Sequence, residues 1–296
     1  MKLSLLSGIA AGLFCFSAIS FAQPDVTITV VTTFDVPGAG NSTIPFKIDD
    51  AGNISGYFTD TALTVRGFLR LSNGRIRTIV EPNDTGNFTR CLGINNTLNI
   101  CGDFFNVADN TYHGYFLSGR TFTQFDAASN VSTYLGDLNN AGNFVGSYGS
   151  TTQPNLAFID IGGVLTPITI TGSTGSYGQG LNNLNDMVGL YFDSASANHG
   201  FFRDAAGTVT APLDFPGSSD THINGINDKK WAVGNYNDSA EVEHSFFLRM
   251  PNSFTSFDYP GAIGTSLNGI NKTGLMCGSY VDGSGVHHGF IAQVSR

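Results

Sequence analysis

Basic residues are few in this sequence. Its 14 Lys and Arg stand against 23 Asp and Glu, a formal net charge of −9. That deficit excludes the cationic surface that nucleic acid or an anionic membrane requires, so neither is expected as a partner. Charge of either sign is sparse, at 12% of residues. Beyond Phe21 there is no apolar run long enough for a membrane span. Also missing are a Gly-x-Ser-x-Gly elbow, a His-Glu-x-x-His pair, a Gly-Lys-Ser/Thr phosphate loop and a twelve-residue calcium loop. No metal or cofactor is therefore expected, and Ca²⁺ has no motif to support it. A site assembled from several repeats leaves no local motif, so an enzyme is disfavoured without being excluded.

Four cysteines are present. Cys15 falls in a targeting segment at residues 1–22. Lys2 supplies its positive start, Leu3 to Phe21 is largely apolar, and Ser20-Phe21-Ala22 sets small residues around a cleavage point before Gln23. Leu13 and Phe14 precede Cys15 where a lipidation site needs small residues, so no lipid anchor is expected. The chain from Gln23 is then expected outside the cytoplasm, secreted or periplasmic. There Cys91 and Cys101 flank one hairpin turn and could pair across it as a disulfide. Cys277 stands where other repeats have Val145, Val188 and Val233, and reads as a small buried apolar residue.

What is present is repetition. A glycine followed within two residues by an aromatic recurs at Gly56, Gly102, Gly146, Gly189, Gly234 and Gly278, at intervals of 46, 44, 43, 45 and 44 residues. Eight residues before each stands Ile48, Ile94, Leu138, Leu181, Ile226 or Ile270. Each copy reads as four strands, A to D. In the fifth these are Thr221 to Asn227, Trp231 to Asn237, Glu243 to Arg249 and Phe254 to Tyr259. A period in the forties with four strands predicts an all-β, six-bladed β-propeller occupying residues 23–296 as one domain. The sixth copy stops after strand C. Val30 to Val36 carries the missing strand D pattern, Phe34-Asp35-Val36-Pro37-Gly38, which matches Phe257-Asp258-Tyr259-Pro260-Gly261. The N-terminal strand is therefore expected to complete the last blade and close the ring, removing two open sheet edges.

The blocks Gly225-Ile226-Asn227, Val233-Gly234-Asn235-Tyr236 and His199-Gly200-Phe201 resemble the bacterial HAF-type extracellular repeat, over nearly the whole chain after the leader. The resemblance implies an exported repeat protein and brings no catalytic residues. Arg66 and Leu156 depart from it, standing where the other four copies with this block have His.

Repeats separate scaffold from candidate site. His113, His199, His244 and His288 belong to different blades and are expected to be structural. So are Asp35, Asp126, Asp214 and Asp258 at the end of strand D, which can bond N–H groups of the next turn. Asn95, Asn139, Asn182, Asn227 and Asn271 suit the A–B turn, where Asn tolerates left-handed backbone. On strand A, the hydroxyls of Thr43, Thr89, Thr133, Ser176, Thr221 and Thr265 form a uniform column. The next column varies: Ile44, Arg90, Tyr134, Tyr177, His222 and Ser266. So does the one two residues on: Phe46, Leu92, Gly136, Gln179, Asn224 and Asn268. These varied columns should meet at the channel mouth, on the face carrying the D–A and B–C loops. Candidate ligand contacts are Arg90, Tyr134, Tyr177, Gln179, His222, Asn224 and Asn268, suited to a polyol, a glycan or an anionic group through ring stacking and hydrogen bonds.

Three functions remain open. The first is a binding or surface-interaction module for glycans or envelope components. The second is an extracellular carbohydrate hydrolase or lyase using Asp220, His222, Glu241 and Glu243. The third is a structural matrix or surface-layer component. Trp231, the only Trp, replaces a mostly polar column on the A–B turn face and marks a small exposed contact patch.

Overall fold

The computed structural model describes residues 26–295. The targeting segment, Cys15 and the cleavage point lie outside the described residues. Every regular element described is a strand, and among the described residues no helix is long and apolar enough to cross a membrane.

After β1 (Thr27–Phe34), the first sheet comprises β2 (Ala39–Ile48), β3 (Ile54–Asp60), β4 (Val65–Arg70) and β5 (Ile76–Ile79). The second has β6 (Thr89–Ile94), β7 (Ile100–Asn106), β8 (Thr111–Ser118) and β9 (Thr121–Phe125). The third has β10 (Ser132–Leu138), β11 (Phe144–Ser150), β12 (Gln153–Ile161) and β13 (Val164–Pro167). The fourth has β14 (Gly175–Leu181), β15 (Met187–Phe192), β16 (Asn198–Arg203) and β17 (Val209–Thr210). The fifth has β18 (Asp220–Ile226), β19 (Trp231–Asn237), β20 (Glu243–Arg249) and β21 (Ser253–Phe257). The last has β22 (Gly264–Ile270), β23 (Leu275–Val281) and β24 (His287–Ser295). Each is an antiparallel meander, and β1 pairs antiparallel with β24 from Thr27↔Ser295 to Phe34↔Gly289. A single parallel bridge, Ser42↔His287, joins the last sheet to the first.

One irregularity recurs in all six A–B pairs. The register shifts across Phe46, Leu92, Gly136, Gln179, Asn224 and Asn268, one residue in each strand A. Such a bulge bends its strand and re-aims the side chains beside it. It also explains the glycine anchor. A Cβ on Gly234 would lie 1.9 Å from the His222 carbonyl oxygen and 2.6 Å from the Phe246 ring. Each of the other five anchor glycines meets the corresponding strand A carbonyl within 2.2 Å. Only glycine fits beneath the bulge.

Between neighbouring sheets lie apolar clusters. Leu69 and Ile79 of the first meet Ile94, Phe104 and Tyr115 of the second. Val36, Ile48 and Phe68 meet Cys277 and Ile291 of the last. The Asn column ties the A–B turns together: Asn95, Asn139, Asn182 and Asn227 each donate a side-chain amide to the corresponding Asn carbonyl of the next sheet, and Asn271 donates to Asp49. This corrects the left-handed reading of that column. Positive φ falls instead on the fourth turn residue, such as Leu98, Asn185 and Lys230. The Asn side chains act as turn caps and inter-sheet ties.

The disulfide expectation is also corrected. Cys91 and Cys101 are free, buried thiols. The bulge at Leu92 pairs Cys91 with Gly102 and Gly93 with Cys101. Cys91 therefore packs toward the first sheet and Cys101 toward Leu135 and Phe144 of the third. Cys277 is buried, as expected.

Candidate functional site

The bulged strands turn their varied columns into a cavity of about 310 Å³, drawn from the first four sheets. Phe46, Phe88, Tyr112, Tyr134 and Tyr177 supply its rings, and Arg90 and Gln179 its polar groups. The rings touch in sequence. Phe88 meets Tyr112 at 5.3 Å, Tyr112 meets Tyr134 at 5.2 Å, and Tyr134 meets Tyr177 at 6.4 Å. Burial raises the phenol pKa of Tyr134 and of Tyr177, so both stay neutral hydroxyls. Asn155 donates its side-chain amide to Tyr177 Oη. Among the described residues the Gln179 amide has no hydrogen-bond partner, and it lines the cavity.

Four of the seven candidate residues thus meet at one cavity: Arg90, Tyr134, Tyr177 and Gln179. Two of the five Arg90 donors are already committed, however. Its Nε and Nη2 donate to Asp103 at 2.9 and 2.6 Å, and Asp103 is fully buried. Burial opposes the Arg90 charge, but Asp103 outweighs it and holds the guanidinium pKa above its usual value. The cavity wall is therefore electrically neutral, which suits an uncharged ligand better than an anion.

The other three candidates do not line this cavity. Asn224 and Asn268 are buried ties. Asn224 donates to Asn235 Oδ1 and the Leu267 carbonyl, and Asn268 donates to the Pro45 carbonyl. The bulge that exposes Gln179 buries its Asn counterparts against the next strand. His222 pairs with Asp220 at 2.9 Å, outside the lining of the aromatic cavity. There Asn198 also donates to Asp220 at 2.5 Å, and Asn235 donates to Glu243 at 2.9 Å. Burial pushes Glu243 above the usual carboxyl range. Burial works on Asp220 in the same sense, but His222 and Asn198 outweigh it and bring that carboxyl below. Glu241 stands apart, exposed in the B–C loop at φ 61.

The aromatic wall was only partly visible in the strand A columns. Phe88 and Tyr112 enter from the strand start and from β8, and their proximity comes from packing across sheets. At the opposite, A–B turn end, Lys47 and Asp137 are buried in a pocket lined by the A strands of all six sheets. Lys47 donates to the Asn224 carbonyl at 3.0 Å, and Asp137 accepts from Leu181 N at 3.1 Å. Burial lowers Lys47 and pushes Asp137 up to about 7. Their signal was available in the sequence: they break a column that is otherwise Gly93, Gly180, Gly225 and Gly269.

The recurrent histidines each bridge two carboxylates. His Nδ1 meets the strand D carboxylate: His113 with Asp126 at 2.7 Å, His199 with Asp214 at 2.7 Å, His244 with Asp258 at 3.0 Å and His288 with Asp35 at 3.0 Å. Nε2 faces a B–C loop carboxylate on Asp109, Asp193, Asp238 or Asp282 at 3.0 to 3.5 Å. Those strand D aspartates thus clamp imidazoles. The turn N–H is instead met by the hydroxyl column, as in Val36 N to Thr43 Oγ1 at 3.2 Å. Trp231 is half-buried against Phe247, with Lys229 Nζ 4.5 Å from its ring. That leaves little of the exposed patch expected there. Among the described residues no cluster of three or more His, Cys, Asp or Glu is arranged to hold a metal.

No family model matches the sequence, and no curated protein matches it. Solved structures do. A fungal lectin from Aleuria aurantia, described as six-bladed with a novel fucose recognition mode, aligns at TM-score 0.54 and 9% identity, covering 90% of this chain and 97% of the lectin. SapL1 lectin, solved with α-methyl fucoside, aligns at TM-score 0.54 and 11% identity, covering 84% and 91%. The propeller domain of the Trilobed protease from Pyrococcus furiosus, described as having an open velcro topology, aligns at TM-score 0.53 and 10% identity, covering 85% and 81%. At such identities the likeness establishes architecture alone: the chain has a β-propeller fold.

Proposed function

We propose that this protein is an exported carbohydrate-binding module whose site is the aromatic cavity at the channel mouth. In this reading the six blades of the single domain after the leader form a ring closed by β1, which sets the inner strands around one axis. The pairing of β1 with β24 and the apolar cluster between the last and first sheets support the closure. One observation carries the binding reading: contiguous aromatic rings and an unpartnered Gln179 amide line a cavity whose only cation is already neutralised. Rings stack on the apolar faces of sugars, and an amide can both donate to and accept from hydroxyls. Fucoside complexes among the lectins of similar fold are consistent with it.

A glycan array probed with the wild type and Tyr134→Ala tests this. Truncating a central aromatic contact typically costs about 2 kcal/mol, which is about 30-fold in affinity. Selective glycan binding that Tyr134→Ala weakens by about that factor supports the proposal. Absence of binding to any glycan, or binding indifferent to Tyr134, overturns it.

A hydrolase reading rests on a separate observation. The row Asp220↔Asn237↔Glu243 sets the two carboxylates two strands apart, with Cα atoms about 10 Å distant, and their pKa values are moved in opposite directions. Opposed shifts are how one site holds an acid and a base. Release of reducing ends from array-positive glycans, abolished by Glu243→Gln, would establish that activity. Bound glycan recovered intact would reject it.

A further inference from the structure

The clamp of strand D Asp, strand C His and B–C loop Asp is complete in the second, fourth, fifth and last sheets. The first sheet keeps a substitute, Arg66 paired with Asp60 at 2.9 Å. Only the third sheet lacks every part. Ser150 stands four residues after its anchor glycine, where Asp193, Asp238 and Asp282 stand in theirs. Leu156 pairs with Tyr148 across the strands as His199 pairs with Tyr191. Thr169 lies seven residues before the strand A hydroxyl, the position of Asp126, Asp214 and Asp258.

Where the clamp is missing, the structure is open. A cavity of about 370 Å³ lies between the third and fourth sheets, on the same face as the channel mouth. Tyr148, Pro154, Leu156 and Ile168 give it apolar walls, and Gln153 and Thr174 bring polar groups to its exposed rim. In the clamped sheets the corresponding rings are covered by imidazole, as Tyr191 is by His199 at 5.2 Å and Tyr236 by His244 at 5.2 Å. Tyr148 has no such cover. The cavity also adjoins the mouth. Asn155 lines it and donates to the hydroxyl of Tyr177, which lines the mouth cavity, so one side-chain pair forms the partition.

We infer that this gap is a second saccharide subsite, which takes a further ring of the same glycan that occupies the mouth. The ligand is then an oligosaccharide draped over the Asn155–Tyr177 partition. An apolar wall topped by hydroxyl and amide groups suits a pyranose ring, with its carbon face and its rim of hydroxyls. The inference rests on the mouth being a carbohydrate site, and the repeat itself supplies the variant that separates the two. Ser150→Asp/Leu156→His/Thr169→Asp installs the clamp of the neighbouring sheets and fills the gap.

The test is an array of defined oligosaccharides, from one to six sugar units, probed with the wild type, the rebuilt variant and Tyr134→Ala. The wild-type response is expected to rise at least tenfold from short to long members of the recognised series. The rebuilt variant should keep the short-chain response and lose the rise, while Tyr134→Ala should weaken both. Thr169→Trp, at the exposed rim, blocks the same gap without altering buried positions, and should repeat the loss if the rebuilt variant folds poorly. A length dependence unchanged in the blocked variants overturns the second subsite and leaves the mouth standing. Failure of any glycan to bind overturns both.

Discussion

Arg90 lines the aromatic cavity and also holds a buried carboxylate. Arg90→Ala should accordingly damage folding before it damages binding. Asp103 is fully buried and takes two hydrogen bonds from the guanidinium, at 2.9 and 2.6 Å. Removing one partner of such a pair leaves a desolvated charge and costs about 3–5 kcal/mol, a large share of the roughly 5–15 kcal/mol that stabilises a domain. Arg90→Lys keeps the charge but not the planar two-pronged geometry, and should fall between wild type and Arg90→Ala. The double variant Arg90→Met/Asp103→Leu removes both charges and should recover most of the loss, because an apolar pair of similar volume is often neutral or stabilising. The assay is equilibrium urea unfolding followed by the fluorescence of Trp231, which is half-buried and unique. A loss below about 1 kcal/mol for Arg90→Ala, the range of an exposed ion pair, would refute the reasoning. So would a double variant no more stable than the single.

Three further outcomes follow from the same structure. His113, His199, His244 and His288 are opposed by burial but held by paired carboxylates, so each has a raised pKa in the folded state. A raised imidazole contributes fully below the ordinary value of about 6.5 and loses that contribution as pH climbs through the folded value; the thermal midpoint should therefore fall between pH 6 and pH 8, and less steeply in His244→Gln. Gly234→Ala should cost about 1–3 kcal/mol or more by overpacking against the His222 carbonyl, whereas Gly283→Ala, with nothing within 4 Å of the added Cβ, should be silent in the same unfolding assay. Burial pushes the Cys91 and Cys277 thiols up to about 12 and Cys101 well above its usual value, so these three thiols should resist iodoacetamide in the native protein and each take a label in the unfolded, unreduced chain, read by peptide mass.

The propeller was legible because its scaffold repeats. Gly234, Phe246 and Thr221 each have counterparts in every blade: a strand A carbonyl lies over each anchor glycine, and the hydroxyl takes a backbone N–H, as Thr221 does from Phe215. The site was half legible. Tyr134, Tyr177 and Gln179 stood out as departures within strand A columns, and they meet at one cavity. Asn224 occupied the same column as Gln179, but its shorter amide reaches Asn235 and the Leu267 carbonyl and is consumed there. Side-chain length and the neighbouring strand decide between those outcomes, and neither is written in the column itself. Phe88 and Tyr112 were missed because they join the wall through contacts between strands. The Cys91–Cys101 expectation failed on a single inserted residue. Proximity across a hairpin is a matter of register, and the bulge at Leu92 turns the two thiols to opposite faces.

The most direct test of the account is a crystal structure of the protein with the glycan that gives its strongest array response. The account predicts a sugar ring stacked on Tyr134 and Tyr177, with Gln179 hydrogen-bonded to its hydroxyls. A glycan seated elsewhere on the propeller with the aromatic cavity empty, or an array with no glycan response to pursue, would contradict it.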